Sequence, residues 1–317
     1  TPRRLTRMVL DLMNEDQPLW RLEVPLPALM SHLAVDAELI KLSDDKQKNL
    51  VGEHLSRRIQ NVKSDVTFQP GAQGLMRRFP VRFLASSAPD TLIARAFSGS
   101  HLIGRESISI KPFSNRIAFS FPVDGVWQTI NNFDYTLGHR AYAGQEFAID
   151  FVQVGPNGLT RKHETDSADD YYCFGTDIEA IADGVVHQME DRMDDNPADC
   201  QQDESALEKR SERYGYLAGR SGNFVIIKHD DDRYSFYAHL MKKSIPLKVG
   251  DKVSKGQKIA RVGNSGACSK AHLHMQLNDG PNPLGNRGLP MSFENLKDSS
   301  DNSLPMITQN NLVVHRG

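Results

Sequence analysis

The sequence predicts a mainly β protein of more than one domain, and three observations carry that expectation. Short runs rich in Val, Ile, Phe and Tyr alternate with Gly, Pro, Asn and Asp clusters through most of the chain beyond residue 64. Glycines punctuate Val249–Gly266 so closely that tight turns leave little room for helices. The length of 317 residues exceeds the ~150 residues of an ordinary domain and suffices to bury a substantial core.

The elements follow in order. Residues 1–63 mix helical and extended signals: Leu50, Leu55 and Ile59 share a helix-like spacing, whereas the start of the stretch 36–60 reads equally as strand and turn. A small β-rich module is expected over 64–115, with strands in Val66–Gln69, Phe79–Phe97 and His101–Ile110, ending at Pro112. A larger β-rich domain is expected over 116–293. Its clearest element is a hairpin, Gly222–Leu240, turning at Asp230–Asp232 and able to bury Val225, Ile227, Phe236 and Ala238 while their neighbours face elsewhere. Residues 294–317 are left as a C-terminal tail. Gly155–Tyr171 has the polar, glycine-bearing texture of a loop. Nine acidic residues fall between 190 and 212; the stretch reads as a solvated loop closing in a short helix at 204–213, with a cation or basic-substrate surface as the sharper alternative. It has no EF-hand spacing.

Composition narrows the function classes. With 39% hydrophobic and 25% charged residues, the chain has a globular rather than a disordered profile. Its formal net charge of -2 gives none of the basic excess of a nucleic-acid binder. Cys173, Cys200 and Cys268 are too few and too scattered for a disulfide framework or a paired-cysteine metal knuckle, although one disulfide could form. No apolar run reaches the ~18 residues of a membrane span, and Asp11 interrupts the stretch Met8–Met13. The chain begins Thr-Pro-Arg-Arg without an initiator Met, a start expected where a leader has been removed or the chain shortened.

The chemistry concentrates in a few positions. In Ser269–Leu277, alternation puts His272 and His274 on one face of a strand and Leu273 and Met275 on the other. Asp150 interrupts the apolar run Phe147–Phe151, where a carboxylate must face solvent or find a strong partner. His139 follows a glycine upstream, and His239 ends the hairpin strand on the face of Tyr237. Two imidazoles and a carboxylate are a recurrent zinc ligand set with a position left for water, and further histidines beside it could serve proton transfer. Neither the His-Glu-x-x-His nor the Gly-x-Ser-x-Gly hydrolase signature occurs.

These pieces, in order, resemble one family. Phe147–Phe151, Phe174–Val186, Gly222–His229, Tyr237–Leu240, Val249–Gly266 and Ala271–Met275 together are similar to the LytM/lysostaphin-type zinc metallopeptidases of the M23 family, over roughly 120–292. The resemblance implies an antiparallel β-sheet groove open to an extended peptide. It implies His139, Asp150 and His274 as zinc ligands and His239 and His272 as catalytic histidines. It further implies hydrolysis of peptide bonds by a zinc-activated water, with peptidoglycan cross-links or glycine-containing peptides as substrate. A periplasmic or extracellular setting and a cell-envelope protein partner accompany that expectation. The alternative is a non-catalytic M23-like binding or regulatory module, which need not retain His239 and His272. Ten residues separate His139 from Asp150, where the compact family form has three, so His101, His163, His187 and His229 stay open as substitutes for the first ligand.

Overall fold

The computed structural model describes residues 3–25, 33–35, 67–68, 74–76, 88–110, 117–131, 139, 144–307 and 312–317. The helix-like stretch 36–60 and the strand expected at 79–87 lie outside the described residues. The chain divides into two compact units, Thr1–Ser114 and Asn115–Gly317.

In the first unit, β1 (Arg7–Asn14), β2 (Gln17–Pro25), β3 (Thr91–Ser98) and β4 (His101–Ser109) form an antiparallel sheet in the order β2-β1-β3-β4. The strands of residues 7–25 therefore pair with those of 91–109, and one sheet joins what the sequence divides at 63/64. Asp11, the charge inside the apolar run of β1, is buried and paired with Arg21 (2.5 Å) and Arg95. Two guanidinium partners offset the cost of taking that carboxylate out of water.

The second unit is built on a ten-stranded sheet. Its strands are β5 (Val126–Asn131), β6 (Ile149–Gln153), β8 (Gly184–Glu190), β9 (Asn223–Lys228), β10 (Tyr234–Leu240), β11 (Lys252–Val253), β13 (Leu273–Asn278), β14 (Gly288–Leu289), β15 (Leu296–Asp298) and β16 (Val313–Arg316). Their order is β11-β8-β9-β10-β13-β6-β5-β16-β15, with β14 also on β13. A separate pair joins β7 (Asp177–Glu179) to β12 (Lys258–Arg261). All the pairings are antiparallel, as expected of the mainly β fold. The segment left as a tail supplies β15 and β16, because Val314 is fully buried and needs the sheet to cover it.

The hairpin Gly222–Leu240 forms, but its faces differ from the reading. Val225 and Ile227 enter the main core with Tyr237 and Leu240, whereas Phe236 and Ala238 lie in a second cluster with Phe224 and Ile226. Both faces are buried because two helices, α1 (Glu204–Tyr214) and α2 (Tyr216–Ser221), bring Tyr214, Leu217 and Ala218 onto the second face. The acidic stretch closes in α1 as expected, capped by Asp203, whose side chain accepts from Ala206 N at 2.7 Å. The second helix went unread in the glycine-rich sequence.

The main core lies on the other side of the sheet, where Phe121, Trp127, Phe151, Leu273 and Met275 pack together. Trp127 is fully buried and its indole N–H donates to Asp124 O at 2.8 Å. Trp127→Ala is expected to destabilise the second unit by about 3–5 kcal/mol, read as a lower denaturant midpoint with an unchanged slope; a midpoint equal to wild type would count against this packing.

Candidate metal centre

Three adjacent central strands build the site. Asp150 of β6 lies directly across from His274 of β13, and His274 lies across from Ala238 of β10. The polar face of β13 carries His274, Gln276 and Asn278 at every second position, with His272 just before the strand continuing the alternation, while Leu273, Met275 and Leu277 enter the core. A bulge at Asp150/Phe151 in the pairing with β5 re-aims the carboxylate, and Asn131 Nδ2 donates to Asp150 Oδ2 at 3.2 Å.

His139, eleven positions upstream, reaches the same carboxylate: its Nε2 is 3.3 Å from Asp150 Oδ2. His274 Nδ1 is 3.0 Å from Asp150 Oδ1, and the rings of His139 and His274 meet edge-on with centroids 4.7 Å apart. Ligand atoms of His139, Asp150 and His274 all fall within 4.8 Å of one another. Two of the other histidines held open for the first position are engaged elsewhere in this unit. His229 is committed to Asp183 O and Ser235 Oγ, and His187 packs on Tyr234.

His239 reaches this face through its backbone. Strict alternation would send it with Tyr237, whose hydroxyl accepts from Ile181 N in the core. Its φ of +60° instead turns the ring toward His272 and His274, at centroid distances of 4.9 and 5.9 Å. Holding a non-glycine residue in that region costs ~1–3 kcal/mol. Its Nδ1 is fixed by Ser265 O at 2.9 Å, and that of His272 by Lys270 O at 2.7 Å, while His272 Nε2 is 3.5 Å from Asp150 Oδ1.

Whether these residues fit a cation is decided by the proton on His274. Gln276 Nε2 donates into Gly144 O (2.9 Å), Asn278 Oδ1 (2.8 Å) and Pro283 O (2.8 Å), which fixes its amide nitrogen away from the histidine. Gln276 Oε1 therefore accepts from His274 Nε2 at 2.9 Å. The lone pair is then on Nδ1, aimed at a carboxylate oxygen, and two acceptors at that separation call for a proton or a cation between them. His139 adds a buried Nδ1 with no hydrogen-bond partner among the described residues. Two imidazoles and a carboxylate are the donor set of zinc with a coordination position to spare, so the residues fit zinc.

Gly144 permits this arrangement, since a Cβ there would stand 2.1 Å from Pro283 O. Gln276 and Asn278 went unnoticed in the sequence, although polar residues at 272, 274, 276 and 278 alternate with apolar ones in plain view. Gln276→Leu removes the acceptor that sets the His274 tautomer and is expected to weaken zinc binding about 10- to 100-fold. Competition with a chromophoric chelator measures it, and an unchanged affinity would remove Gln276 from the site.

The electrostatics follow from burial and crowding. Burial pushes His139 down to about 4, against the raising field of Asp150. Burial would raise Asp150, but His139 and His272 nearby, with hydrogen bonds from His272 and His274, hold it well below the usual carboxylate range. Burial, then the fields of His272 and His274, keep His239 well below an ordinary imidazole. Burial opposes protonation of His272, yet Cys268 and Asp150 lift it well above. For His139 the folded value lies below the unfolded one, so the unfolded state binds more protons between about pH 6.5 and 4. Metal-free protein should thus lose stability as pH falls through that window, by about 3 kcal/mol from this residue. Denaturant titrations at several pH values, wild type against His139→Ala, test it; equal acid sensitivity of the two would refute it.

Comparison with known proteins agrees with this geometry. Residues 167–285 match the description "Peptidase family M23", a span that takes in His239, His272 and His274 and stops short of His139 and Asp150. The peptidoglycan DD-endopeptidase ShyA of Vibrio cholerae is 29% identical over 157 residues, 50% of this chain and 26% of that protein. An uncharacterized metalloprotease of Haemophilus influenzae is 37% identical over 65 residues, 20% of this chain and 13% of its own length. Lipoprotein NlpD of Yersinia enterocolitica is 38% identical over 63 residues, 20% of this chain and 62% of that protein. The chain thus spans about a quarter or less of the length of the first two relatives. The catalytic domain of lysostaphin from Staphylococcus simulans is 18% identical, covering 52% of this chain and 88% of that one, with a TM-score of 0.29. The match to peptidase family M23 takes in His274 of the triad together with His239 and His272, and over residues 167–285 the chain is similar to that family.

Proposed function

We propose that this chain is a zinc metallo-endopeptidase that hydrolyses peptide bonds, with peptidoglycan cross-links or glycine-containing peptides as substrate. The observation that carries the reading is the placement of two further imidazoles, His239 and His272, against the His139–Asp150–His274 set. Zinc held by that set supplies Lewis acidity that polarises a peptide carbonyl and makes water acidic enough to act near neutral pH. His239, kept neutral and with Nδ1–H given to Ser265 O, presents an Nε2 lone pair that can take the proton of the attacking water. His272, held protonated, presents an Nε2–H that can stabilise negative charge on the carbonyl oxygen and then return a proton to the leaving amine. Asp150 stays ionised and fixes both the ligand set and His272.

Similarity to the Vibrio peptidoglycan DD-endopeptidase favours peptidoglycan over other peptides as substrate. On that reading the chain works in the periplasm or outside the cell, beside a cell-envelope protein partner. Among the described residues no helix is long and apolar enough to cross a membrane. The test is release of soluble fragments from purified peptidoglycan by the zinc-loaded chain, with and without chelator. New amino termini appearing only with metal support the enzyme. Binding to peptidoglycan without any cleavage would replace it with the binding-module reading.

A further inference from the structure

Beside the metal centre, the loop leading into β13 gathers a second group of soft donors. One ligand atom each of His239, Cys268 and His272 lies within 4.8 Å of the others, and Cys268 Sγ is 3.3 Å from His272 Nδ1. We propose that His239, Cys268 and His272 form a second metal site, adjoining the first, for a thiophilic d10 cation such as zinc or cadmium.

The donor chemistry points to that class. Two imidazoles and a thiolate suit zinc and its softer congeners, and exclude magnesium and calcium, which demand oxygen ligands. The orientation of the rings points the same way. Each imidazole gives its Nδ1–H to a backbone carbonyl, Ser265 O for His239 and Lys270 O for His272. A carbonyl on the far nitrogen is the support that metal-binding histidines usually have, and it leaves a lone pair on His239 Nε2, whereas His272 meets the thiol with Nδ1 and binds a cation by exchanging a proton for it. Cys268 is buried, and its S–H donates to the same Lys270 O at 3.0 Å, a weak bond to give up. A thiolate so buried is costly alone and is compensated by a bound cation. The other two thiols are turned to the backbone of this loop, Cys173 to Ala271 O at 3.1 Å and Cys200 to Cys268 O at 3.4 Å.

The site borrows both imidazoles that hydrolysis requires. Filling it therefore stops the reaction, so a metal that activates at the first site inhibits at the second. That consequence rests on the proposed function, whereas the site itself does not.

Cadmium titration of the chelator-treated full chain decides the matter, with bound metal measured by equilibrium dialysis and thiolate coordination by ultraviolet charge-transfer absorption. Wild type is expected to bind about two cadmium ions per chain and show the band. Cys268→Ser should bind about one and lose the band. The Cys173→Ala/Cys200→Ser double variant should keep both; Cys268 is then its only thiol, so it decides even if Cys268→Ser fails to fold. A wild type without the band, or a band surviving in Cys268→Ser, overturns the proposal. One cadmium with the band would uphold this site and remove metal binding from His139, Asp150 and His274; one cadmium without the band would do the reverse.

Discussion

Asp150→Ala is expected to empty the first metal site, with its zinc affinity reduced by more than about 100-fold. Loss of a supporting residue behind a ligand already costs ~10- to 100-fold, and Asp150 is a proposed ligand and also the common partner of His139, His272 and His274. Without its charge three imidazoles are left crowded together in a buried place, where each protonation repels the next. His274→Ala should behave alike, whereas His272→Ala should keep its zinc at the first site. Elemental mass spectrometry of the three variants beside wild type gives the answer. Zinc bound by Asp150→Ala at the full wild-type stoichiometry would remove the triad, and with it the assignment of this centre.

His272→Ala and His239→Ala are each expected to lower kcat about 100- to 10,000-fold on a cross-linked muropeptide, with zinc at the first site unchanged. The two substitutions together should cost less than the product of the single losses, because the imidazoles act on one proton inventory. Their pH profiles should differ as well. In the proposed reaction His239 works neutral and His272 protonated, so removing the first should flatten the acidic limb and removing the second the basic limb. Full activity in either variant, measured with zinc content verified, would withdraw that histidine from the reaction.

Much of this site was legible because β-structure has a period of two. His272, just before β13, and His274 within it fall on one face, with Leu273 and Met275 on the other, as alternation requires. Asp150 announced itself as a charge inside an apolar run, since such a residue needs a partner to be there at all. His239 shows where the rule ends. Alternation assigns it to the core beside Tyr237, and only a left-handed backbone at that one residue carries it to the other face. Histidine enters that conformation more often than most residues do, but nothing in the neighbouring sequence singles out this one. The hairpin faces failed for a related reason: with both faces of β9 and β10 covered, the run Phe224–Ile227 has no polar side to set its register. The pairing of residues 7–25 with 91–109 was hidden by distance in the sequence, since nothing local tells a strand which remote strand it will meet.

β13 occupies the middle of the sheet, hydrogen-bonded along both edges, to β6 and to β10. Its ligand and the facing Asp150 are thus placed by backbone ladders that exist whether or not an ion is bound. In small zinc modules the cation organises the chain and its removal unfolds it. Here the cavity is preorganised, and the entropy of assembling it has been met by folding. Chelation should therefore strip the ion and leave the β architecture standing, so that emptying and refilling become a fast, reversible equilibrium with the surrounding metal pool.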